Sequence, residues 1–209
     1  MEILKLPRAS LWNLAEMDRD YAQAKLPESA EVVLDIGSHA GIFALWALGT
    51  WQGCKVVCFE PHPEMVKICR DNLTGLSAEV HELAVIGSED VASCVGDDNL
   101  AALYEGKRTL LGSSLHHLGW QKDEIVARVR WFPAADLPPC NVLKVDIEGS
   151  DLRVLKDYRH GAGLSALLCE VHRREEWPQL MELAWSWGLE MTRCNAGRNG
   201  CVTSAWRKG

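Results

Sequence analysis

No stretch of this sequence approaches the ~18–20 consecutive apolar residues that a bilayer-spanning helix needs. The first residues, Met1 to Arg8, mix a short apolar stretch with charge, so they lack the form of a secretory signal peptide. Cysteine is plentiful, at eight residues, yet there is no Cys-x-x-Cys pair and no Cys/His cluster at zinc spacing. Cys58, Cys69 and Cys169 sit inside apolar, periodic segments, and Cys54 and Cys140 at strand starts, as small reduced hydrophobes of a cytosolic core do. The expectation is a soluble, cytoplasmic protein. Positive charge is also short: 22 Lys and Arg against 29 Asp and Glu give a net charge of -7. That balance argues against a general affinity for nucleic acid phosphates. Repeats, linkers and low-complexity tracts are absent, so residues 1–209 are read as a single domain, a length that buries a stable core without staples.

What is present is a rhythm of short apolar runs and helix-period segments, the pattern of a βαβ sheet. Glu31–Ile36 reads as a buried first strand, followed by a helix over Ala40–Trp51. Lys55–Phe59 is a second strand, and Pro61-His-Pro63 opens a helix to about Leu73, with Pro63 suited to its first turn. Glu79–Val85, Asn141–Asp146 and Leu164–Val171 read as the third, fourth and fifth strands. Ser150 is a suitable N-cap for a helix over Asp151–Tyr158. A helix over Glu175–Trp187 and strands near Leu189–Cys194 and Cys201–Trp206 complete a mostly parallel seven-stranded α/β sheet with helices on both faces. Residues 1–28 read as an N-terminal helical segment, Ser10 to about Lys25, closed by Pro27. Residues 90–139 break the rhythm, with a strand expected at Ile125–Trp131. They form an insertion of the kind that shapes specificity on a rigid scaffold. Trp46, Trp185 and Trp187 are read as packing residues, and His116-His117 as solvent-facing.

Ligands of open α/β sheets bind beyond the carboxyl ends of the strands, where strand order reverses. The first such end is Asp35-Ile-Gly37-Ser38-His39-Ala-Gly41. Gly37 permits a tight turn, and Gly41 lets the following helix pack close. Asp35 can accept hydrogen bonds from a charged amine, and Glu60, at the end of the second strand, can accept both hydroxyls of a ribose. A dinucleotide would require Gly-x-Gly-x-x-Gly, because its pyrophosphate sits against the helix N-terminus. Here His39 stands in the middle glycine position. That favours the uncharged thioether end of a methyl donor over NAD, which stays as an alternative oxidoreductase reading.

These residues resemble the FkbM-type methyltransferases, a class I S-adenosylmethionine-dependent family acting largely on hydroxyls of sugars, lipids and polyketides. The matching segments are Val33 to Leu45, Val57-Cys-Phe-Glu-Pro-His-Pro-Glu64, Ala84-Val85, Gly112-Ser-Ser114, Lys144-Val-Asp-Ile-Glu-Gly-Ser-Asp151 with Val154-Leu155, and Glu170-Val-His172. The family pattern usually has Asn at His39 and often Ala at Ser38. The resemblance implies a Rossmann-like fold in which Asp35, Gly37, Ser38, His39 and Gly41 line the methionine end of S-adenosylmethionine. Glu60 with Pro61 would then hold the ribose, and Ala84 with Val85 would lie near the adenine.

Methyl transfer to a hydroxyl requires in-line positioning, desolvation and loss of a proton. Candidate groups stand at the ends of strands four and five: Lys144 and Asp146 share a face, as do Glu170 and His172. In one mechanism His172 or Asp146 is the general base. In another, Asp146, Glu170 and His172 hold a divalent ion such as Mg that acidifies the acceptor. The metal-free version is preferred, since a sequence does not show convergence. Lys144 also suits a buried pair with Asp146 or Glu148, and Glu148 can support the turn. Arg173-Arg174 can steer an anionic acceptor or form a solvated charge run. The leading expectation is O-methylation of a small molecule, sugar or lipid. A degenerate, non-catalytic scaffold is the second reading, and no Asn/Asp-Pro-Pro-Tyr/Phe motif points to amino methylation of nucleic acid.

Overall fold

Strands buried on both faces read as near-continuous runs of apolar, β-branched residues, as do Val32–Ile36, interrupted by Asp35, and Lys55–Phe59, apolar after Lys55. They form β1 and β2, parallel neighbours in register Leu34 to Val57. The computed structural model describes residues 21, 23–105, 113–114, 124–196 and 201–209. The expected N-terminal helix and His116-His117 lie outside the described residues, apart from the end of the helix. Between β1 and β2 runs α1 (Ile42–Thr50), and after β2 comes α2 (Pro63–Asn72). Helix α2 starts as the sequence predicts: Pro63 occupies its first turn, and the His62 ring accepts a hydrogen bond from the Glu64 N–H. Next come β3 (Ala78–His81), β4 (Ala84–Ile86) and α3 (Ser88–Cys94).

The expected single strand over Glu79–Val85 is divided. β3 pairs with β2, and the last rung is the Glu60 N–H donating to the His81 carbonyl. The next N–H on that side, from His62, donates to the Glu60 carboxylate instead, so the ladder stops there. The chain then passes to β4, which pairs instead with β8 (Trp131–Pro133). The insertion also holds a small antiparallel sheet of β5 (Ala101–Glu105), β6 (Ser113–Ser114) and β7 (Glu124–Val129). The strand expected at Ile125–Trp131 is therefore two strands, parted at Arg130, and α3 begins before the expected start of the insertion.

The main sheet is completed by β9 (Val142–Val145), α4 (Asp151–Asp157), β10 (Ala166–Val171), α5 (Trp177–Ser186), β11 (Leu189–Ala196) and β12 (Val202–Lys208). Its order is β11-β12-β10-β9-β1-β2-β3. All neighbours are parallel except at β12, which runs against both β10 and β11. The sheet is thus mixed, seven-stranded and mostly parallel, with helices on both faces. Alternate strand residues pack to opposite sides. Leu34, Val57, Leu143 and Leu167 meet Leu152 and Leu155 of α4 and Leu180 of α5. Val33, Val56, Val142 and Leu168 meet Ile42, Phe43 and Ala47 of α1. Full burial of each such side chain contributes about 1.5–3 kcal/mol. Among the described residues, no helix is long and apolar enough to cross a membrane.

Candidate functional site

The chain runs from β1 outward through β2 to β3, then returns to β9 and β10 on the other side. Strand order therefore reverses between β1 and β9, and the crevice beyond their carboxyl ends is where such sheets bind ligands. Two loops meet there: Gly37–Gly41 after β1, and Asp146–Gly149 after β9.

The first loop is held by its backbone. The N–H groups of Gly37 and Ser38 both donate to the Phe59 carbonyl, at 2.9 and 3.1 Å, and the Gly41 N–H donates to Ser38 O at 2.8 Å. Gly37 has φ +79°, and a Cβ there would lie 1.9 Å from the Asp146 carbonyl oxygen. Only glycine lets the two loops come this close. Ser38 is buried, with its hydroxyl 3.9 Å from Cys69 Sγ. His39 adopts φ +49°, and its backbone N–H donates to Glu60 Oε2 at 2.8 Å. The other oxygen of Glu60 accepts from the His62 N–H, also at 2.8 Å. Burial raises the Glu60 pKa to about 7, although these two donors oppose the rise. Pro61 directs the chain away from this carboxylate into α2. Ala84 and Val85 are both buried on the separate β4 ribbon.

Asp35 and Lys144 are paired rungs of β1 and β9, and both side chains are buried. Lys144 Nζ lies 3.3 Å from Asp35, 3.6 Å from Asp146, and donates to the Gly37 carbonyl at 2.7 Å. One ammonium thus touches β1, its turn and the start of the second loop. The Lys144 ammonium is the partner of the Asp35 carboxylate. Burial raises the Asp35 pKa, and the nearby Lys144 charge opposes the rise.

The second loop surrounds His172. Its Nε2 lies 3.1 Å from Glu148 Oε2, 3.7 Å from Glu170 Oε1 and 3.9 Å from Asp146 Oδ1. Its Nδ1 lies 3.2 Å from Asp151 Oδ2. Burial alone would lower the imidazole pKa, but Asp151 and Glu148 outweigh it and raise the pKa well above its ordinary value. Asp151 is wholly buried and also accepts the N–H groups of Ile147 and Gly149, at 2.8 and 3.1 Å. That fixes a turn in which Glu148 has φ +57°. Ser150 takes the expected N-cap position of α4, but its side chain makes no capping hydrogen bond. Its hydroxyl donates to Asp90 Oδ2 at 2.9 Å, because α3 packs across this end of the helix.

The structure therefore brings Lys144, Asp146, Glu170 and His172 together beside the Gly37 turn. Glu148 and Asp151 join them. Sequence reasoning gave Glu148 only a supporting part and Asp151 only the start of a helix; the hint was a carboxylate two residues after Gly149, placed to accept from the loop. Ligand atoms of Asp146, Glu148 and His172 all lie within 4.8 Å of one another. Arg173 lies 3.9 Å from Glu176. Most of the segment Gly112–Gly119 is outside the described residues.

Comparison with curated proteins returns no match. Among solved structures, the chain is similar to a putative S-adenosylmethionine-dependent methyltransferase from Listeria monocytogenes, at TM-score 0.53 and 10% identity, over 96% of this chain and 98% of that one. A putative methyltransferase from Pseudomonas syringae gives TM-score 0.52 and 12% identity, over 95% and 99%. A precorrin-6y C5,15-methyltransferase from Geobacter metallireducens GS-15 gives 0.50 and 11%, over 100% and 94%. At such identities the likeness shows the fold. The family is shown by a direct match of residues 35–188 to the methyltransferase FkbM domain. By that match, which spans both loops and every residue of the site, the chain belongs to the FkbM methyltransferase domain family.

Proposed function

We infer that this methyltransferase uses S-adenosylmethionine to methylate a hydroxyl on a small molecule, sugar or lipid. The observation that carries the reading is the position of Lys144, which joins the glycine turn to a cluster of carboxylates and an imidazole in one crevice. The residues fit the donor. Glu60 takes a single backbone N–H on each oxygen, so each has a lone pair left for a ribose hydroxyl. Asp35 is a buried carboxylate paired with Lys144 at the base of the turn, a group suited to the cationic methionine end. Gly37 to Gly41 would cradle that end, and the Ala84-Val85 backbone would meet the adenine. When bound, the donor supplies an electrophilic methyl on a sulfonium.

The chain then has to orient the acceptor, exclude water and remove a proton. His172 holds its own proton at neutral pH, as the direction of its pKa shift implies. The acceptor's proton therefore passes to a carboxylate gathered round the ring, among Asp146, Glu148 and Glu170. Six of the eight cysteines are buried thiols, which suits a reducing compartment such as the cytoplasm.

Incubation of the full chain with methyl-labelled S-adenosylmethionine and a panel of sugars, hydroxylated lipids and polyketide alcohols tests the reading. Label recovered as an alkali-stable ether supports it. Label found only on nitrogen or carbon acceptors would overturn the hydroxyl assignment.

A further inference from the structure

Four carboxylates converge on one imidazole at the ends of β9 and β10: Asp146, Glu148, Glu170 and Asp151. Asp151 differs from the others in having no exposed surface and in facing Nδ1, away from the rest. A carboxylate there fixes the ring so that Nδ1 carries a hydrogen and Nε2 points at Asp146, Glu148 and Glu170. Without an ion, a proton on Nε2 satisfies the facing carboxylates; a divalent cation held by the same groups takes that proton's place. Lys144, the ammonium beside Asp146, is already engaged with Asp35 and the Gly37 carbonyl.

We propose that Asp146, Glu148 and Nε2 of His172 form a divalent cation site, with Asp151 as the outer carboxylate that orients the histidine. The inference rests on the methyltransferase reading and gives the acceptor end a Lewis acid. Atoms about 2.1 Å from a shared ion stand roughly 3 to 4 Å apart, and the Nε2 distances of 3.1 Å to Glu148 and 3.9 Å to Asp146 lie in that range. Asp151 stands outside the ligand set, yet its bonds to Ile147 and Gly149 hold Glu148 in place as well as the ring. A buried carboxylate on the far nitrogen is the usual partner of a metal-ligating histidine. Two oxygens and one nitrogen suit Mn²⁺ or a neighbouring first-row ion better than Ca²⁺. Entry of the ion displaces the Nε2 proton to solvent. An acceptor hydroxyl bound to the ion loses its proton to Glu170, which lies beside the triad and outside it. The resulting alkoxide then attacks the donor methyl, breaking the bond from sulfur to carbon as the bond from oxygen to carbon forms.

The test titrates the full chain, stripped with EDTA, with MnCl₂ by calorimetry and by loss of the free Mn²⁺ paramagnetic signal. The expected result is one site per chain. Asp151→Asn should weaken it by about tenfold to a hundredfold, and His172→Ala should abolish it. Glu148→Gln, a substitution of a partly exposed side chain, should also weaken binding without disturbing the fold, as circular dichroism would show. Equal Mn²⁺ binding by wild type and all three folded variants would overturn the site. So would absence of binding by a chain that still binds S-adenosylhomocysteine in EDTA, and that outcome leaves the methyltransferase reading standing. Failure of S-adenosylhomocysteine binding itself would count against the wider reading, whatever the metal result.

Discussion

Lys144 Nζ donates to the carbonyl of Gly37 at 2.7 Å, so a buried cation on β9 braces the first turn of β1. The same ammonium sits 3.3 Å from Asp35, which has no exposed surface. Removing one member of a buried pair strands the other's charge and typically costs about 3–5 kcal/mol. Lys144→Met is therefore expected to lower stability by about that amount in urea unfolding. The double variant Lys144→Met/Asp35→Asn should recover a substantial part, because no charge is then left alone. Equal losses in the single and double variants would contradict the pairing.

Gly37 carries a steric constraint beyond its backbone angle. An added Cβ would meet the Asp146 carbonyl at 1.9 Å, whereas at Gly53, with φ +83°, nothing lies within 4 Å. Gly53→Ala should cost about 1–2 kcal/mol for the left-handed backbone alone. Gly37→Ala should cost clearly more and should abolish S-adenosylhomocysteine binding, since the two loops must part. Matched thermal unfolding of the two variants separates these contributions.

Glu60 ties the pH dependence of stability to that of binding. Its pKa in the folded chain is about 7, against an ordinary 4.5, chiefly through burial. A raised folded pKa means that the folded state holds the proton more tightly. Its stabilising contribution is complete below the ordinary value and is lost as pH rises to about 7, a loss approaching roughly 3 kcal/mol. Urea unfolding at pH 5 and pH 8 reads this, and Glu60→Gln should flatten the difference.

Binding should show the opposite trend. Ribose hydroxyls donate to the ionised carboxylate, so S-adenosylhomocysteine affinity should rise about tenfold from pH 6 to pH 8. Glu60→Gln should bind weakly at both values, with little slope. A wild-type affinity that falls over this interval would contradict the assignment of Glu60 to the ribose.

The sheet was largely legible because its parallel strands are buried on both faces, and runs such as Val32–Ile36 and Ala166–Val171, apolar but for one carboxylate each, have few other solutions. The break between β3 and β4 was not, since Leu83-Ala84-Val85 continues the apolar pattern while the ladder ends where the His62 N–H turns to the Glu60 side chain. That constraint comes from a neighbouring strand, which periodicity does not record. At the site, side-chain parity correctly put Lys144 with Asp146 and Glu170 with His172 on matching faces. The parts played by Glu148 and Asp151 depend on a turn with left-handed backbone at Glu148 and Gly149. Ser150 was read as a local cap, but α3 packs close enough for Asp90 to take its hydroxyl, a long-range contact that no local rule contains.

The central claim is that the turn from Asp35 to Gly41, closed by Glu60, binds S-adenosylmethionine. Calorimetric titration of the full chain with S-adenosylhomocysteine at pH 8, beside Glu60→Ala and beside NAD, tests it most directly. The account predicts one micromolar site, weakened by about tenfold to a hundredfold in the variant through loss of hydrogen bonds to a charged group, and no binding of NAD. No adenosyl binding, or equal binding by wild type and Glu60→Ala, would contradict it.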